Sequence, residues 1–258
     1  MNFLKMHGIG NDFVILDQRS GRKPLDLQQI RHICDRHTGV GCDQLIIMEP
    51  SQKADLFMRI YNGDGSESGA CGNATRCVAD LYMNEKGVKD CTVETQAGVL
   101  KCRQIAPLTV EVDMGTPKFP AAHFTETIAG LKDPVLVDMG NPHAAYFLPT
   151  LAAIDIPAIG PQIEHHPFFP NRTNVEFVQV LDRGKVRLRT WERGAGLTLA
   201  CGSAACATVA AAVQRGLTER QITIQLDGGE LHMEYREHDG HILMTGPVAY
   251  VFEGVLKI

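Results

Sequence analysis

The strongest constraint on the fold of this chain is an internal repeat, which appears when the sequence is shifted by 130 positions. The Ala-Cys-Gly-Asn-Ala segment at 70–74 then falls on Ala-Cys-Gly-Ser-Ala at 200–204. Further matches are Gly10-Asn11 with Gly140-Asn141, Gln44 with Asn174, Arg59 with Arg189, Tyr61 with Trp191 and, one residue out of step, Gly98 with Gly229 and Gly115 with Gly246. A fixed period indicates duplication of one structural unit. The sequence therefore predicts two copies of a unit of about 120 residues, followed by a short tail.

Each copy carries the same coarse order of secondary structure. Strands are expected at 59–61 and 186–189, and each precedes a Cys-Gly step and a helix rich in small residues, at 73–86 and 203–215. A basic residue followed by glycine ends each helix, at 86–87 and 215–216. Two strands joined by a turn follow each helix. The pattern predicts an α+β fold of two pseudo-symmetric lobes, each a β-sheet or barrel wrapped around a central helix.

Two prolines within residues 116–120 mark the predicted linker between the lobes. We expect an N-terminal lobe at residues 1–117, joined by the C-terminal tail at 248–258, and a C-terminal lobe at residues 118–247. Because ligands prefer clefts between domains, the functional site is expected in the cleft between the lobes.

Charge and composition argue against several classes of protein. The net charge of −5 and the pI near 6.0 disfavour a nucleic-acid binder, which needs a basic surface. A signal peptide is not expected, because Lys5, His7 and Asp12 interrupt the apolar segment that a signal peptide would need near the N-terminus. The uncharged segment at 194–214 is dominated by alanine and glycine, which suits a buried helix better than a membrane span. The eight cysteines form no C-x-x-C motif, so a cytoplasmic chain with reduced thiols is expected.

The repeat places one cysteine, Cys71 or Cys201, at the start of each central helix. Helix N-termini stabilise anions and lower the pKa of a thiol, so we expect thiolates here near neutral pH. The backbone N–H groups of Gly72-Asn73 and Gly202-Ser203 would be free to bind a carboxylate. Two thiols on opposite faces of a carbon acid can remove a proton from one face and return one to the other, which inverts a stereocentre. This chemistry needs no cofactor and no metal, and we expect neither.

The repeated carboxamides fit the same interpretation. Single asparagines favour turns, but symmetric pairs are better explained as groups that hold an ammonium and a carboxylate. Arg193 falls opposite Gly63 in the repeat and breaks the symmetry, as expected for a substrate whose distal end carries a second carboxylate. The carboxamides concerned are Asn11, Gln44, Asn62, Asn141 and Asn174.

Eight motifs in order resemble the diaminopimelate epimerase family over essentially the whole chain. They are Gly8-Ile9-Gly10-Asn11-Asp12-Phe13, Gly41-Cys42-Asp43-Gln44-Leu45, Asn62-Gly63-Asp64-Gly65-Ser66-Glu67, Cys71-Gly72-Asn73, Gly140-Asn141-Pro142-His143, Asn174-Val175-Glu176-Phe177, Glu192-Arg193-Gly194 and Ala200-Cys201-Gly202-Ser203. The sequence departs from the family pattern at Ala74 and Ala204, where glycine is common. Alanine is tolerated there if the backbone is helical.

The resemblance implies a cofactor-independent epimerase that converts LL-2,6-diaminopimelate to the meso isomer, in the synthesis of lysine and peptidoglycan precursors. It implies a cytoplasmic homodimer that binds this small-molecule substrate, while charge and composition lead us to expect neither nucleic acid nor membrane as a partner. The implied bases are Cys71 and Cys201. The implied substrate contacts are Asn11, Gln44, Asn62, Gly72, Asn73, Asn141, Asn174, Glu192, Arg193, Gly202 and Ser203.

Competing interpretations remain open at this stage. In the first alternative, Cys71 and Cys201 are packing residues without a chemical role. This is the role that we expect for the other cysteines, Cys34, Cys42, Cys77, Cys91, Cys102 and Cys206. A second alternative is a zinc site formed by Cys34, His37 and Cys42, which is disfavoured because the spacing of these ligands is irregular. His143 is either a neighbour of a catalytic thiol or a structural residue. Other functions to be tested are a racemase of another amino acid, a thiol–disulfide redox protein and a non-catalytic binding module.

Overall fold

The computed structural model describes residues 1–21 and 23–257, and the chain divides into two units. The first unit contains Met1–Asp113 and the chain from Gly246 onward, and the second contains Met114–Thr245. The first ten elements of the first unit are β1 (Asn2–Gly8), β2 (Asn11–Asp17), α1 (Leu27–Cys34), β3 (Gln44–Glu49), β4 (Leu56–Asn62), β5 (Glu67–Ser68), α2 (Gly72–Lys86), β6 (Asp90–Thr95), β7 (Gly98–Ala106) and β8 (Thr109–Asp113).

The second unit repeats this order. Its elements are β9 (Val135–Asp138), β10 (Pro142–Phe147), α3 (Ile156–Glu164), β11 (Asn174–Asp182), β12 (Lys185–Glu192), β13 (Gly196–Thr198), α4 (Gly202–Gln214), β14 (Gln221–Gln225), β15 (Glu230–Tyr235) and β16 (Ile242–Pro247), whose last two residues fall in the first unit. The last strand, β17 (Ala249–Val255), belongs to the first unit and pairs antiparallel with β1.

Strand pairing is the same in both units. In the first unit β1–β2, β3–β4, β4–β5, β6–β7 and β7–β8 are antiparallel, whereas β2–β3 and β4–β6 are parallel. In the second unit β9–β10, β11–β12, β12–β13, β14–β15 and β15–β16 are antiparallel, whereas β10–β11 and β12–β14 are parallel. Phe13 pairs with Gln44, and His143 pairs with Asn174, so the register also repeats. The α+β fold with two pseudo-symmetric halves is confirmed.

The two central helices begin and end where the sequence predicts. Each starts directly after its cysteine, whose backbone is extended, and α2 ends at Gly87 in the left-handed conformation with φ 65°. Residues 72–80 of α2 and 204–212 of α4 are consecutively buried, so every face of each helix is covered by protein. Small side chains suit such a position because the surrounding strands approach closely. Ala74 and Ala204 are buried within regular helix, which satisfies the condition for alanine at these positions.

The shorter helices α1 and α3 were not expected from the sequence. An Asp26–Gln29 capping box starts α1, and Asp155 caps α3. Ile33 of α1 and Ile163 of α3 are fully buried in equivalent clusters against β2–β3 and β10–β11. Gly160 and Pro161 lie inside α3, and both residues weaken the sequence signal for a helix. Within the described residues, no helix is both long and apolar enough to cross a membrane.

Candidate active site

Cys71 and its neighbours form a half-site in the first unit. The half-buried Cys71 is the N-cap residue of α2, and its side chain makes no capping hydrogen bond. The first intrahelical bond runs from Thr75 N to Cys71 O, at 2.9 Å. The N–H groups of the first helical turn have no partner within the helix, and the helix dipole adds positive potential at this end. The thiol thus lies at an anion-binding end of a helix.

A directed chain of hydrogen bonds orients the carboxamides around Cys71. Arg76 Nη2 donates to Asn73 Oδ1 at 2.9 Å, Asn73 Nδ2 donates to Asn11 Oδ1 at 3.2 Å, and Asn11 Nδ2 donates to Asp43 Oδ2 at 2.9 Å. A guanidinium can only donate and a carboxylate can only accept, so the two ends of the chain fix every amide between them. The oxygen of Asn11 therefore faces the Cys71 thiol, which lies 3.7 Å away.

Gln44 and Asn62 lie opposite each other on β3 and β4. Gln44 Nε2 donates to Asn62 Oδ1 at 3.0 Å, and Asn62 Nδ2 donates to Ser66 Oγ at 3.1 Å. Gln44 Oε1 is buried and has no hydrogen-bond partner among the described residues. A buried acceptor without a donor is costly, and it is suited to a ligand N–H group.

Cys201 occupies the corresponding position in the second unit. It is the N-cap residue of α4, and its sulfur lies 3.6 Å from Ser203 Oγ. Asn141 Nδ2 donates to the same Ser203 oxygen at 3.4 Å. Asn141 thus presents its amide nitrogen to the helix start, whereas Asn11 presents its oxygen. The two carboxamides match in the repeat but are oriented in opposite directions.

His143 determines this orientation. Its Nε2 lies 3.0 Å from Asn141 Oδ1, and its Nδ1 lies 2.6 Å from Glu176 Oε1, with both side chains fully buried. Because the amide oxygen only accepts, Nε2 of His143 is the donor to Asn141. Burial raises the pKa of Glu176, and the contact with His143 acts in the opposite direction. The histidine contacts Asn141 and Glu176, so in this unit it acts on the predicted site through a carboxamide.

The expectation that a helix N-terminus lowers the pKa of both thiols is wrong for Cys201. Burial, together with the negative charge of Glu192, raises the pKa of the Cys201 thiol well above its usual value. The contact with Ser203 and the backbone N–H of Ala204 act in the opposite direction and are outweighed. Desolvation disfavours a thiolate more strongly here than the helix end favours it. Cys201 is therefore held as a thiol, the form that donates a proton.

Asn174, Glu192 and Arg193 form the other part of this half-site, where β11 begins and β12 ends. Asn174 Oδ1 accepts from Arg193 N at 3.0 Å, and Asn174 Nδ2 donates to Pro142 O at 2.9 Å. Thr198 Oγ1 donates to Glu192 Oε1 at 2.5 Å. Of these three residues Arg193 lines a cavity of about 760 Å³, together with Asn141, His143, Phe168, Phe169 and Arg172, among others. This volume is in the range of small-molecule sites.

The sequence-predicted residues form contact groups within their own units, and in the first unit Gln44 and Asn62 form a pair separate from the group of Asn11, Cys71 and Asn73. The first unit brings together Asn11, Gln44, Asn62, Cys71, Gly72 and Asn73, and the second brings together Asn141, Asn174, Glu192, Arg193, Cys201, Gly202 and Ser203. Sequence reasoning missed Asp43, Arg76, Glu164 and Glu176. Arg76 could have been noticed in the sequence, because a charged residue among the small residues of a buried helix requires a hydrogen-bond or charge partner. No sequence pattern indicated Asp43, Glu164 or Glu176, since the partners of these carboxylates are distant in sequence.

Comparison with solved structures defines the fold class. The chain is similar to a "predicted epimerase" from Pseudomonas aeruginosa, with a TM-score of 0.75, 17% identity and coverage of 100% of this chain and 99% of that chain. It is also similar to a hydroxyproline epimerase from Agrobacterium vitis, with a TM-score of 0.70, 15% identity and coverage of 98% and 91%. At this level of identity the likeness shows a shared fold.

Comparison with known sequences shows the family. The Diaminopimelate epimerase profile matches residues 3–120 and 135–251. Diaminopimelate epimerase of Rhodospirillum centenum is 54% identical, covering 99% of this chain and 92% of the relative. That of Acidiphilium cryptum is 51% identical, covering 98% and 95%. The chain belongs to the diaminopimelate epimerase family.

Proposed function

We propose that this protein is an isomerase that converts LL-2,6-diaminopimelate to the meso isomer, a step of lysine biosynthesis, by proton transfer between two thiols. The observation that carries the proposal is the repeated half-site. Each unit has a cysteine at the N-terminus of a buried helix, with a matching carboxamide beside it. Membership of the family supports the substrate and the reaction.

The chemistry follows from the two cysteines. One thiolate takes the α-proton, so the C–H bond breaks and an S–H bond forms, and the electron pair moves into the adjacent carboxylate. The thiol of the other cysteine would then give its proton to the other face of the carbon, which forms a new C–H bond and leaves a thiolate. No electrons are gained or lost overall. Backbone N–H groups at Gly72-Asn73 and Gly202-Ser203 would stabilise the negative charge that develops on the carboxylate.

The remaining predicted contacts would bind the distal end of the substrate. Asn62, Asn174 and Glu192 lie at strand ends and Arg193 follows Glu192, and this cation has no counterpart in the repeat, where Gly63 corresponds to Arg193. A guanidinium can bind a carboxylate through two N–H groups, and Glu192 can accept from an ammonium. Because Arg193 has no counterpart in the first unit, we propose a substrate that carries a second amino-acid group at its distal end, and not one with a single amino-acid group.

We further propose that the protein is a cytoplasmic homodimer. Strand β17 supports dimerisation, because its apolar residues Tyr250, Val251, Phe252 and Val255 are each between 43% and 66% exposed. Apolar side chains contiguous along an exposed strand are typical of a protein interface. The eight cysteines are free, which agrees with a reducing compartment.

The test is a reaction of the reduced protein with pure LL-diaminopimelate in D2O, with no added cofactor. We expect meso product that carries solvent deuterium at the α-carbon, observed by NMR together with chiral chromatography. L-Lysine, which lacks the distal carboxylate, serves as the control and should not exchange. Absence of deuterium exchange in the fully reduced protein would refute the proposal, and exchange of lysine would indicate a racemase of broader range.

A further inference from the structure

Glu164 is a buried carboxylate outside the predicted site, and three donors converge on it. It is the last residue of α3 and is only 3% exposed. Its Oε1 accepts from Gly194 N at 2.9 Å and from Arg172 Nη1 at 3.3 Å, and its Oε2 accepts from Trp191 Nε1 at 2.7 Å. Burial acts to raise the pKa of Glu164, but the bonds from Trp191 and Gly194 and the nearby cations hold it below its usual value. Glu164 is therefore ionised.

These contacts fix the turn that carries Arg193. Trp191 and Gly194 flank the Glu192-Arg193 pair, and Glu164 binds one group on each side of it. Asn174 holds the backbone N–H of Arg193 at the centre of the same turn. Gly194 adopts φ +77°, a conformation that glycine adopts readily but does not enforce, so the turn depends on these contacts to keep its shape.

Close packing adds to the clamp. A Cβ atom on Gly160 of α3 would lie 2.4 Å from Trp191 Cγ, so the indole packs directly on the helix backbone. The indole is thus held both by this contact and by the Glu164 hydrogen bond. Helix α3 positions the turn through both interactions.

The carboxylate clamp belongs to the second unit, whereas in the first unit α1 contacts the equivalent turn through Arg31 Nε, which donates to Asp64 O at 2.8 Å. At a shift of 130 positions Glu164 and Arg172 correspond to Cys34 and Cys42, whose sulfur atoms lie 3.6 Å apart in the first unit. Arg193 corresponds to Gly63, so the first unit has no cation in this turn. An ion pair therefore replaces a pair of thiols only where the turn carries an arginine.

We propose that Glu164 is a positioning residue that fixes the Arg193 turn and thereby sets the preference for a substrate with a distal carboxylate. The inference rests on the proposed function, since it assigns Arg193 to that carboxylate. A misplaced bidentate donor would weaken binding of the distal end while both thiols stay in place. The effect should therefore fall on KM and leave kcat largely unchanged.

The central test is Glu164→Gln. Glutamine has one acceptor oxygen in place of two, so it cannot accept from both Trp191 and Gly194 in the observed geometry. We expect KM for LL-diaminopimelate to rise about tenfold or more, with kcat changed less than about threefold. Glu49→Gln removes a buried carboxylate that pairs with Arg59 on β4, and it should leave both constants unchanged.

A double-mutant cycle separates positioning from a general structural role. If Glu164 acts through Arg193, then Glu164→Gln should add less than about twofold to KM in an Arg193→Met background. The inference would be overturned if Glu164→Gln raised KM by the same factor with and without Arg193. It would also be overturned if KM were unchanged in a folded Glu164→Gln protein. Should that variant fail to fold, Glu164→Asp retains the charge with a shorter reach, and an unchanged KM in this variant would also overturn the inference.

Trp191 is the single tryptophan, so its fluorescence reports on the clamp directly. Loss of the Glu164 hydrogen bond should shift its emission and speed hydrogen exchange at the amide of Gly194. This readout does not depend on turnover. Wild-type protein inactive on LL-diaminopimelate would refute the proposed function alone, whereas emission and exchange identical in wild type and Glu164→Gln would refute the clamp.

Discussion

The buried pair of Lys5 and Asp12 offers a sharp test of how the first half-site is held. Lys5 is 8% exposed, and its ammonium group contacts Asp12 and the carbonyl of Gly41. Asp12 also accepts two bonds from Arg36, at 3.0 and 2.7 Å, and one from Asp43 N at 3.0 Å. The aspartate thus joins the turn that carries Asn11 to the start of β3. The perturbation is Asp12→Asn.

The expected cost follows from the burial of the two partners. Removing the carboxylate leaves the Lys5 ammonium buried without a counter-charge, which typically costs about 3–5 kcal/mol. Arg36 is half exposed, so its contact contributes at most about 1 kcal/mol. We therefore expect Asp12→Asn to lower the free energy of unfolding by about 3 kcal/mol or more. Adding Lys5→Met should recover most of this loss because no unpaired charge then remains.

The effect should also depend on pH. Burial opposes ionisation, but Arg36 and Lys5 hold the pKa of Asp12 well below its usual value of 3.8. The stabilisation is therefore complete above that usual value, and it is lost as the pH falls toward the lowered pKa in the folded state. The difference between wild type and Asp12→Asn should shrink in acid.

Urea unfolding followed by circular dichroism at neutral pH measures these free energies. Wild type, the two single variants and the double variant complete the cycle. A double variant as unstable as Asp12→Asn alone would refute the reasoning, because the cost would then come from lost contacts and not from the unpaired ammonium. A difference between wild type and Asp12→Asn that is independent of pH would refute the assignment of the pKa.

Three further predictions concern the thiols and the dimer. Cys71→Ala or Cys201→Ala should reduce epimerisation at least about a thousandfold, as expected for loss of an acid–base group, and near-normal turnover in either variant would contradict the two-thiol scheme. Because its pKa is raised, Cys201 should react with iodoacetamide slowly at pH 7 and faster with each rise in pH. Glu192→Gln should speed this alkylation, followed by mass spectrometry, and an unchanged rate would exclude the influence of that charge. Val251→Glu should convert a dimer to monomer in sedimentation equilibrium, whereas an unaltered mass would place the interface elsewhere.

Most of the fold could be predicted because the repeat is a local signal copied twice. The Cys-Gly starts and the Gly87 and Gly216 stops lie beside the helices they bound, so α2 and α4 were predicted to within one residue. Helices α1 and α3 were missed, since each is short and stabilised mainly by packing on the sheet. The candidate residues could be predicted as a set because carboxamides and cysteines recur in register.

The sequence by itself determined the duplicated architecture and the identity of the chemical groups, since both depend on order along the chain. Tertiary structure alone decided how those groups are presented. Asn11 shows its oxygen to Cys71 because Arg76 and Asp43 close a directed chain, whereas Asn141 shows its nitrogen to Ser203 because His143 binds its oxygen. Burial beside Glu192 likewise reverses the expected shift in the pKa of Cys201. Hydrogen-bond direction and desolvation depend on partners that are distant in sequence, and only folding brings these partners together.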